Sequence, residues 1–272
     1  MKSGRVDSKT GRKGTGSPDL PVITLLTDFG TTDYFVGAVK GAILSVNRAV
    51  TIVDITHEIP PQDIETGAFM LSAAYETFPA GTIHLAVVDP GVGSTRRPII
   101  VSAGKQLFVG PDNGLFTYVC DREDSYRVYH VTAEKYFRPS PSSTFHGRDI
   151  FAPVAAALSK GVAPETFGPL IKDEVRLPSG DRQTRIIHID HFGNCITNIR
   201  REELNAGKVR LVINGKTIRE FRSFYGESSS KKFFAIWGSA GFLEISLNGG
   251  SAAKILKAAR GDRVIVRRDE QD

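Results

Sequence analysis

The chain has 272 residues, of which 40% are hydrophobic and 24% are charged, and its formal net charge is +5. These proportions are typical of a folded globular protein, and no apolar run approaches the roughly 20 residues that a membrane-spanning helix needs. Much of the positive charge lies in the first thirteen residues, where no aromatic residue interleaves with the basic ones, and this argues against a nucleic-acid partner. We expect no membrane partner either. The two cysteines form no disulfide framework and the N-terminus lacks the apolar core of a secretory signal, so we expect a cytoplasmic protein with reduced thiols.

Alternating strands and helices are predicted along the first half of the chain. Residues 1–19 are rich in glycine, serine and lysine and predict a disordered basic tail. From Leu20 onward, "PVITLLTDFG", "TIVDI" and "GTIHLAVVD" have the pattern of strands. The segments "YFVGAVKGAILSVN" and "DIETGAFMLSAAYETF" between them have helical spacing, and Asp63 is placed as an N-cap. This order predicts an α/β domain with a mainly parallel sheet.

The pattern changes near residue 180. Strands at "PIIVSAG", "QLFVGPD" and "SYRVYHV" and a helix at "GRDIFAPVAAALSKG" complete the first domain. Short strands joined by hairpin-like turns then follow to the end, interrupted by a short helix at "SAAKILKAAR". We therefore predict an α/β domain over residues 20–180 and an all-β domain over residues 181–272.

Titratable side chains follow several predicted elements. Asp28 ends the first strand, Asp89 ends the third and is followed by Arg96, and His146 precedes a helix. Because ligands bind at the carboxyl ends of strands in α/β sheets, these residues are candidates for one site. Each has an ordinary alternative, since a strand-end aspartate is commonly a turn or cap residue and a lone histidine is commonly structural.

The β domain contains a second group of polar residues. In "IDHFGNCITNI", we predict a strand that breaks at Gly193, with Phe192 between Asp190 and Asn194. This arrangement suits a ligand with a flat ring and an amino-acid-like end. The alternative is a β-bulge in which Asn194 bonds its own backbone. Nucleotide-binding fingerprints, a G-x-S-x-G elbow and zinc-ligand spacing are missing from the sequence, so we expect metal-free chemistry without a cofactor.

Taken together, these segments resemble the S-adenosylmethionine (SAM) hydroxide adenosyltransferases, which are related to fluorinase and chlorinase. The resemblance begins near Val22, reaches the C-terminus and leaves out only residues 1–19. It depends on "TLLTDFGTTDYFVGAVKG", "IVDITHEIPPQDI", "VVDPGVGSTRR", "FVGPDNGLF", "TFHGRDIFAP", "IDHFGNCITNI" and "GSAGFLEISLNGGSAA". It implies a β-barrel-like second domain and a homotrimer whose active sites lie between subunits.

The resemblance also implies roles for individual residues. Asp28 matches the residue that holds the ribose hydroxyls, and the neighbouring Phe29 belongs to the same motif. Asp89, Arg96 and His146 match the catalytic triad of the water-using members. The remaining matches are substrate-binding positions: Asp190 and Ser239 for methionine, Asn194, Asn248 and Gly249 for adenine, and Phe192 for the nucleoside.

Two residues bear on the choice between water and halide. Fluorinase-like enzymes have tyrosine at the position of Asp89 and serine at that of Gly147, although chlorinase also has glycine at the latter. A carboxylate would repel a halide but would accept a proton from an attacking water, so Asp89 and His146 favour water. One departure concerns Ala240, because the halogenating relatives have arginine there beside the methionine-site serine.

The expected activity is therefore hydrolysis of SAM to adenosine and methionine. Two alternatives stay open: halide-dependent cleavage to a 5′-halo-5′-deoxyadenosine, and a SAM- or adenosine-binding protein whose turnover is incidental.

Overall fold

The computed structural model describes residues 20–178, 183–204, 209–229 and 231–268. The predicted tail, residues 1–19, and the predicted domain boundary near residue 180 lie outside these ranges.

A seven-stranded sheet forms the centre of the first domain. Its strands are β1 (Val22–Thr27), β2 (Thr51–Thr56), β3 (Ile83–Val87), β4 (Pro98–Ala103), β5 (Gln106–Pro111), β6 (Tyr126–His130) and β7 (Leu170–Ile171). They lie in the order β2-β1-β3-β5-β4-β6-β7. Pairing is parallel from β2 to β5 and antiparallel from β5 to β7. The sheet is therefore mixed: β4 and β5 form a hairpin, which reverses one strand, and β6 and β7 continue the antiparallel side.

Helices cover both faces of this sheet. They are α1 (Phe35–Val46), α2 (Ile64–Ala74), α3 (Thr117–Arg122) and α4 (Ala152–Ser159). Apolar residues of α1 and α4 share one core cluster with β1 and β3, whereas α2 and α3 contribute to a second cluster. The Asp63 side chain accepts a hydrogen bond from the Thr66 N–H at 3.0 Å, which confirms the predicted N-cap of α2. A single π-helical turn, Gly147–Phe151, leads into α4.

The second region is rich in strands. They are β8 (Ile186–Ile189), β9 (Cys195–Arg200), β10 (Val209–Ile213), β11 (Lys216–Ile218), β12 (Phe221–Arg222), β13 (Phe233–Trp237), β14 (Phe242–Leu247) and β15 (Ile265–Arg268), with the short helix α5 (Ala252–Leu256). They form a five-stranded sheet, β12-β13-β14-β9-β8, and a three-stranded sheet, β11-β10-β15. Both sheets contribute to one core cluster. In the ranges that the structure describes, the two sheets do not join into one closed barrel.

The two regions contact each other through α2. Phe69 packs against Ile187, Ile196 and Phe242 of the β-rich region, and Ala240 lies against the same cluster. Next to this apolar contact, the Glu65 side chain of α2 accepts hydrogen bonds from the Arg185 guanidinium of the β-rich region.

Both cysteines, Cys120 and Cys195, are free and buried. Burial raises the pKa of each thiol to about 12. Among the residues that the structure describes, no helix is long and apolar enough to cross a membrane.

Candidate functional site

A cavity of about 400 Å³ opens at the carboxyl ends of β1 and β3. Asp28 follows β1, Asp89 follows β3, and His146 precedes the π-helical turn, so three separate segments bring these side chains to one cavity. Aromatic rings form much of the remaining wall: Phe29, Phe35 and Phe145. The structure therefore brings together the predicted residues of the α/β domain.

Asp89, Arg96 and His146 form one hydrogen-bonded group. The Arg96 Nε donates to both carboxylate oxygens of Asp89 at 3.0 and 3.1 Å, and Nη2 lies 2.5 Å from Oδ2. The same Nη2 lies 2.7 Å from Nδ1 of His146. The Arg96 guanidinium also lies 5.1 Å from the centre of the Phe151 ring. The side chains of Arg96 and Asp89 are only 9% and 5% exposed, so solvent screens their attraction weakly.

This geometry fixes the tautomer of His146. An arginine guanidinium has only donors, so Nδ1 of His146 must accept the hydrogen bond from Arg96. A neutral imidazole then carries its proton on Nε2. Burial, and next the positive charge of Arg96, lower the pKa of His146 below its ordinary value of 6.5. His146 is therefore held as a neutral ring with one N–H available to donate.

The Asp28 carboxylate is held by a hydrogen bond from the backbone. The Gln62 N–H donates to its Oδ2 at 2.8 Å, and Gln62 has a positive φ of 67° that is unusual for a residue with a side chain. Burial raises the pKa of Asp28, and the charge of Asp89 adds to that rise, whereas the Gln62 N–H opposes it. The carboxylate is thus poised to accept further hydrogen bonds.

Gly147 leaves room for the aromatic wall of the cavity. A Cβ at this position would lie 3.3 Å from Cζ of Phe29 and 3.5 Å from Cε2 of Phe145. A side chain there would require the Phe29 ring to move.

A second cavity, of about 1020 Å³, lies in the β-rich region. It is lined by all of the predicted residues of that region: Asp190, Phe192, Asn194, Ser239, Asn248 and Gly249. Phe192 is 75% exposed, so its ring stands at the rim rather than in a core. No residue that the structure describes lines both cavities.

Asp190, Phe192 and Asn194 lie in the turn between β8 and β9, not on a strand as the sequence pattern indicated. Asp190 accepts hydrogen bonds from the Asn194 N–H and from its Nδ2, both at 2.8 Å. Gly193 has a φ of 83°, and a Cβ there would overlap the Ser251 hydroxyl. These contacts close the turn, and they replace the β-bulge alternative.

Sequence reasoning missed Glu244, Tyr225 and Trp237, which also line the second cavity. Glu244 is only 9% exposed, and its Oε2 accepts a hydrogen bond from the Tyr225 hydroxyl at 2.9 Å. Within the alternating strand "FLEISL" its position looked like an ordinary polar one. The available signal was a single charged residue in a strand whose other residues are apolar or serine.

Ala240 stands where the halogenating relatives have arginine, and its surroundings differ from those of the methionine-site residues. Its side chain packs toward the contact between the two regions, and it does not line the second cavity. Among the described residues, no group of three or more His, Cys, Asp or Glu side chains is arranged to hold a metal ion.

Comparison with known proteins gives two family matches. The model for the SAM hydroxide adenosyltransferase N-terminal domain matches residues 23–168, and the model for the C-terminal domain matches residues 184–265.

Individual relatives agree with these matches. The (R)-S-adenosyl-L-methionine hydrolase of Methanocaldococcus jannaschii is 37% identical over 91% of this chain and 96% of its own length. The protein of the same name from Thermus thermophilus is 37% identical over 88% of this chain and 96% of its own. A fluorinase from Nocardia brasiliensis is 29% identical over 86% of this chain and 92% of its own length. The crystal structure of an uncharacterized conserved protein from Thermotoga maritima superimposes with a TM-score of 0.83 at 33% identity, covering 90% of this chain and 100% of that one.

Proposed function

This chain belongs to the SAM hydroxide adenosyltransferase family and is a SAM hydrolase, and we propose that it acts by water attack at C5′ of the ribose. The observation that carries this mechanism is the hydrogen-bonded group of Asp89, Arg96 and His146, with Asp28 in the same cavity. The products are adenosine and L-methionine.

The reaction is a displacement at carbon. The water oxygen forms a bond to C5′ while the bond from C5′ to the sulfonium sulfur breaks. The electron pair of that bond stays on sulfur, so methionine departs as a neutral thioether. One proton leaves the attacking water, and the first group able to accept it is the Asp89 carboxylate. A carboxylate is a much weaker base than hydroxide, so it accepts this proton late, when positive charge has built up on the oxygen.

The other two residues of the group prepare the water for attack. The Nε2–H of neutral His146 donates to one lone pair of the water oxygen, which leaves the other lone pair for C5′. Arg96 does not line the cavity. It is a positioning residue that holds the Asp89 carboxylate and the His146 ring in fixed orientations.

Substrate binding divides between the two cavities. Asp28 accepts hydrogen bonds from the ribose hydroxyls, as a carboxylate with a free oxygen can, and Phe29 forms part of the wall beside it. The second cavity binds the adenine and methionine ends of the substrate. Its residues have the roles that the family resemblance implies: Asp190 and Ser239 for methionine, Asn194, Asn248 and Gly249 for adenine, and Phe192 for the nucleoside.

Because these two sets of residues line separate cavities in one chain, we propose that an active site combines the first cavity of one subunit with the second cavity of another. A homotrimer with sites between subunits satisfies this arrangement. The exposed ring of Phe192 at the rim of the second cavity supports it, since such a ring would be covered by the neighbouring subunit.

Both hydrolase relatives are named for (R)-S-adenosyl-L-methionine, and we propose that this chain prefers the same epimer. We also propose that the reaction needs neither metal nor cofactor, because its leaving group is already activated by the sulfonium charge. The free, buried thiols support a cytoplasmic location.

Incubation with each SAM epimer in oxygen-18 water, followed by mass spectrometry, tests this proposal. We expect adenosine labelled at its 5′ oxygen, unlabelled methionine, and faster turnover of the (R) epimer. The reaction is run with and without chloride.

Other products would identify the alternatives. A 5′-chloro-5′-deoxyadenosine that forms only with chloride would indicate the halide reaction, which is an alternative because the chain is also similar to fluorinases. Adenosine binding without turnover would indicate a binding protein, and unlabelled adenosine would contradict attack of water at C5′.

A further inference from the structure

His57 is a buried histidine to which the mechanism above gives no role. It directly follows β2, within the segment "IVDITHEIPPQDI". Nδ1 of its ring lies 2.8 Å from Oγ1 of Thr27, the last residue of β1, and Nε2 lies 3.2 Å from Oδ1 of Asp54. The contact with Asp54 is within ion-pair distance but lacks the alignment of a full hydrogen bond, so Thr27 is the closer partner of the ring.

These two partners determine which nitrogen of His57 carries the proton. The Asp54 carboxylate can only accept, so in a neutral imidazole the N–H is on Nε2, which faces it. Nδ1 then accepts a hydrogen bond from the Thr27 hydroxyl. Burial opposes the charge of Asp54, but Lys40, which donates to it at 2.7 Å, and His57 hold its pKa below the usual value. Asp54 therefore stays a carboxylate, and the direction of the Thr27 hydroxyl is fixed.

The Thr27 hydroxyl also bonds the backbone next to Asp28. Because its proton is directed at His57, its oxygen is free to accept the Phe29 N–H, which lies 3.3 Å away. A threonine hydroxyl that accepts the N–H two residues later closes a local turn. Asp28 is the central residue of this turn, so the direction of the Thr27 hydroxyl bears on the orientation of Asp28.

The backbone of His57 bonds to the same turn. Its carbonyl accepts the Gly30 N–H at 2.8 Å. The segment that begins at His57 continues to Gln62, whose N–H donates to the Asp28 carboxylate. His57 therefore links the two segments that meet at Asp28, one through its side chain and one through the chain that follows it.

We propose that His57 is a positioning residue that orients the Asp28 carboxylate toward the ribose hydroxyls of SAM. Its ring lines neither of the two cavities, so it acts through Thr27 and not on the substrate. The inference rests on the proposed function, which assigns the ribose to Asp28. Without the ring nitrogen, the Thr27 hydroxyl has no acceptor and is free to turn away from Phe29.

The binding of adenosine and of 2′,3′-dideoxyadenosine, measured by calorimetry, tests the proposal. The two nucleosides differ only in the hydroxyls that Asp28 would accept, so the ratio of their dissociation constants isolates the ribose interaction. For the native protein we expect adenosine to bind roughly 10- to 100-fold more tightly. His57→Phe and Thr27→Val remove the contact between the two side chains, and each narrows this ratio by about 3- to 10-fold. Thr27→Ser keeps the hydroxyl and retains the native ratio.

His84→Phe is the matched control. His84 is also buried in this sheet, its Nδ1 lies 2.7 Å from the hydroxyl of Thr24, its Nε2 lies 2.8 Å from Gln106, and it lines neither cavity. We expect His84→Phe to lower the melting temperature, as His57→Phe does, but to leave the ratio at its native value.

The role of His57 would be refuted if His57→Phe and Thr27→Val kept the native ratio, or if His84→Phe narrowed it as much as they do. The comparison of Thr27→Val with Thr27→Ser decides the test even where the larger change at His57 prevents folding. Equal narrowing by these two variants would also overturn the proposal, because only one of them lacks the hydroxyl.

The hydrolysis of SAM by the native protein separates this test from that of the proposed function. If the native protein preferred adenosine and the variants narrowed the ratio as expected, but SAM was not hydrolysed, the proposed function would fail while the role of His57 was supported. Equal binding of the two nucleosides by the native protein would remove the ribose role of Asp28, and the role of His57 with it.

Discussion

At the scale of the residue, Asp89 is the group on which the chemistry depends. Its carboxylate is oriented by Arg96 and accepts the proton of the attacking water. In Asp89→Asn the amide keeps the shape but loses most of this acceptor strength. We expect kcat to fall by on the order of 100- to 10,000-fold while calorimetry shows adenosine binding within a few-fold of the native value.

Asp33→Asn is the matched control, because Asp33 is an exposed aspartate before α1 that does not line either cavity. It should retain native kcat. An Asp89→Asn variant with native kcat would remove Asp89 from the mechanism.

The contact between Arg96 and His146 predicts the acid limb of the pH profile. Because the pKa of His146 is lowered from 6.5, the neutral ring persists as the pH falls through 6.5. At lower pH the ring takes a proton on Nδ1, loses its hydrogen bond from Arg96 and is repelled by the guanidinium. We expect kcat/KM to stay level from neutral pH to 6.5 and to fall below it.

His146→Gln checks the assignment of this limb. The variant has a lower kcat/KM at neutral pH, and it lacks the fall that is attributed to His146. A native midpoint at or above 6.5, or the same limb in the variant, would show that another group titrates.

How far the sequence predicted the site differs between its two halves. Asp28, Asp89 and His146 follow or precede predicted elements, and the rule that strand ends meet at one edge brings them together. The sequence does not predict that Glu244 lines the second cavity, because its burial against Gly238 is a contact between β14 and the turn after β13, which periodicity does not show. The sequence identifies Asp190 and Asn194 as candidates but predicts a strand where the structure has a turn, because the apolar residues on either side continue the strand pattern.

At the scale of the element, the start of α2 joins the two regions. Its Glu65 accepts hydrogen bonds from Arg185 and from the Tyr118 hydroxyl, the latter at 3.0 Å. Glu65→Gln removes a charge that compensates a partly buried arginine. We expect the free energy of unfolding, measured in urea, to fall by about 1–3 kcal/mol.

Glu76→Gln is the control for this substitution, because Glu76 pairs with Arg122 at 3.0 Å with its side chain 55% exposed. A surface pair of this kind contributes less than about 1 kcal/mol. Equal losses in the two variants would mean that Glu65 has no special part in joining the regions.

Most strands and helices could be predicted from the sequence, but the order of the strands in the sheet could not. Alternating segments predicted the first strands and helices, and Asp63 marked the start of α2. The antiparallel side of the sheet was not predicted, because the order β5-β4-β6 depends on a hairpin folding back beside β3 rather than on the pattern within any strand.

At the scale of the whole molecule, an active site shared between subunits has a measurable consequence. Asp89→Asn damages the first cavity and Asp190→Ala damages the second. When the two inactive variants are co-expressed, random assembly gives about one quarter of the sites two intact halves. We therefore expect about a quarter of the native activity, in a particle that light scattering measures as a trimer.

Co-expression of Asp89→Asn with Arg96→Ala is the control, since both changes damage the same half and no mixed assembly has an intact site there. Failure of the first mixture to regain activity would place the complete site within one chain. One sequence alone could predict both residue sets, but it could not show that they line separate cavities.

The two buried thiols have a practical consequence for labelling. Because burial raises the pKa of Cys120 and Cys195 to about 12, neither forms the thiolate that maleimide reagents attack at neutral pH. A single cysteine introduced at an exposed position outside both cavities, such as Val175, would then be the one reactive thiol among the described residues. A fluorophore attached there would follow the exchange of subunits without any need to remove the native cysteines.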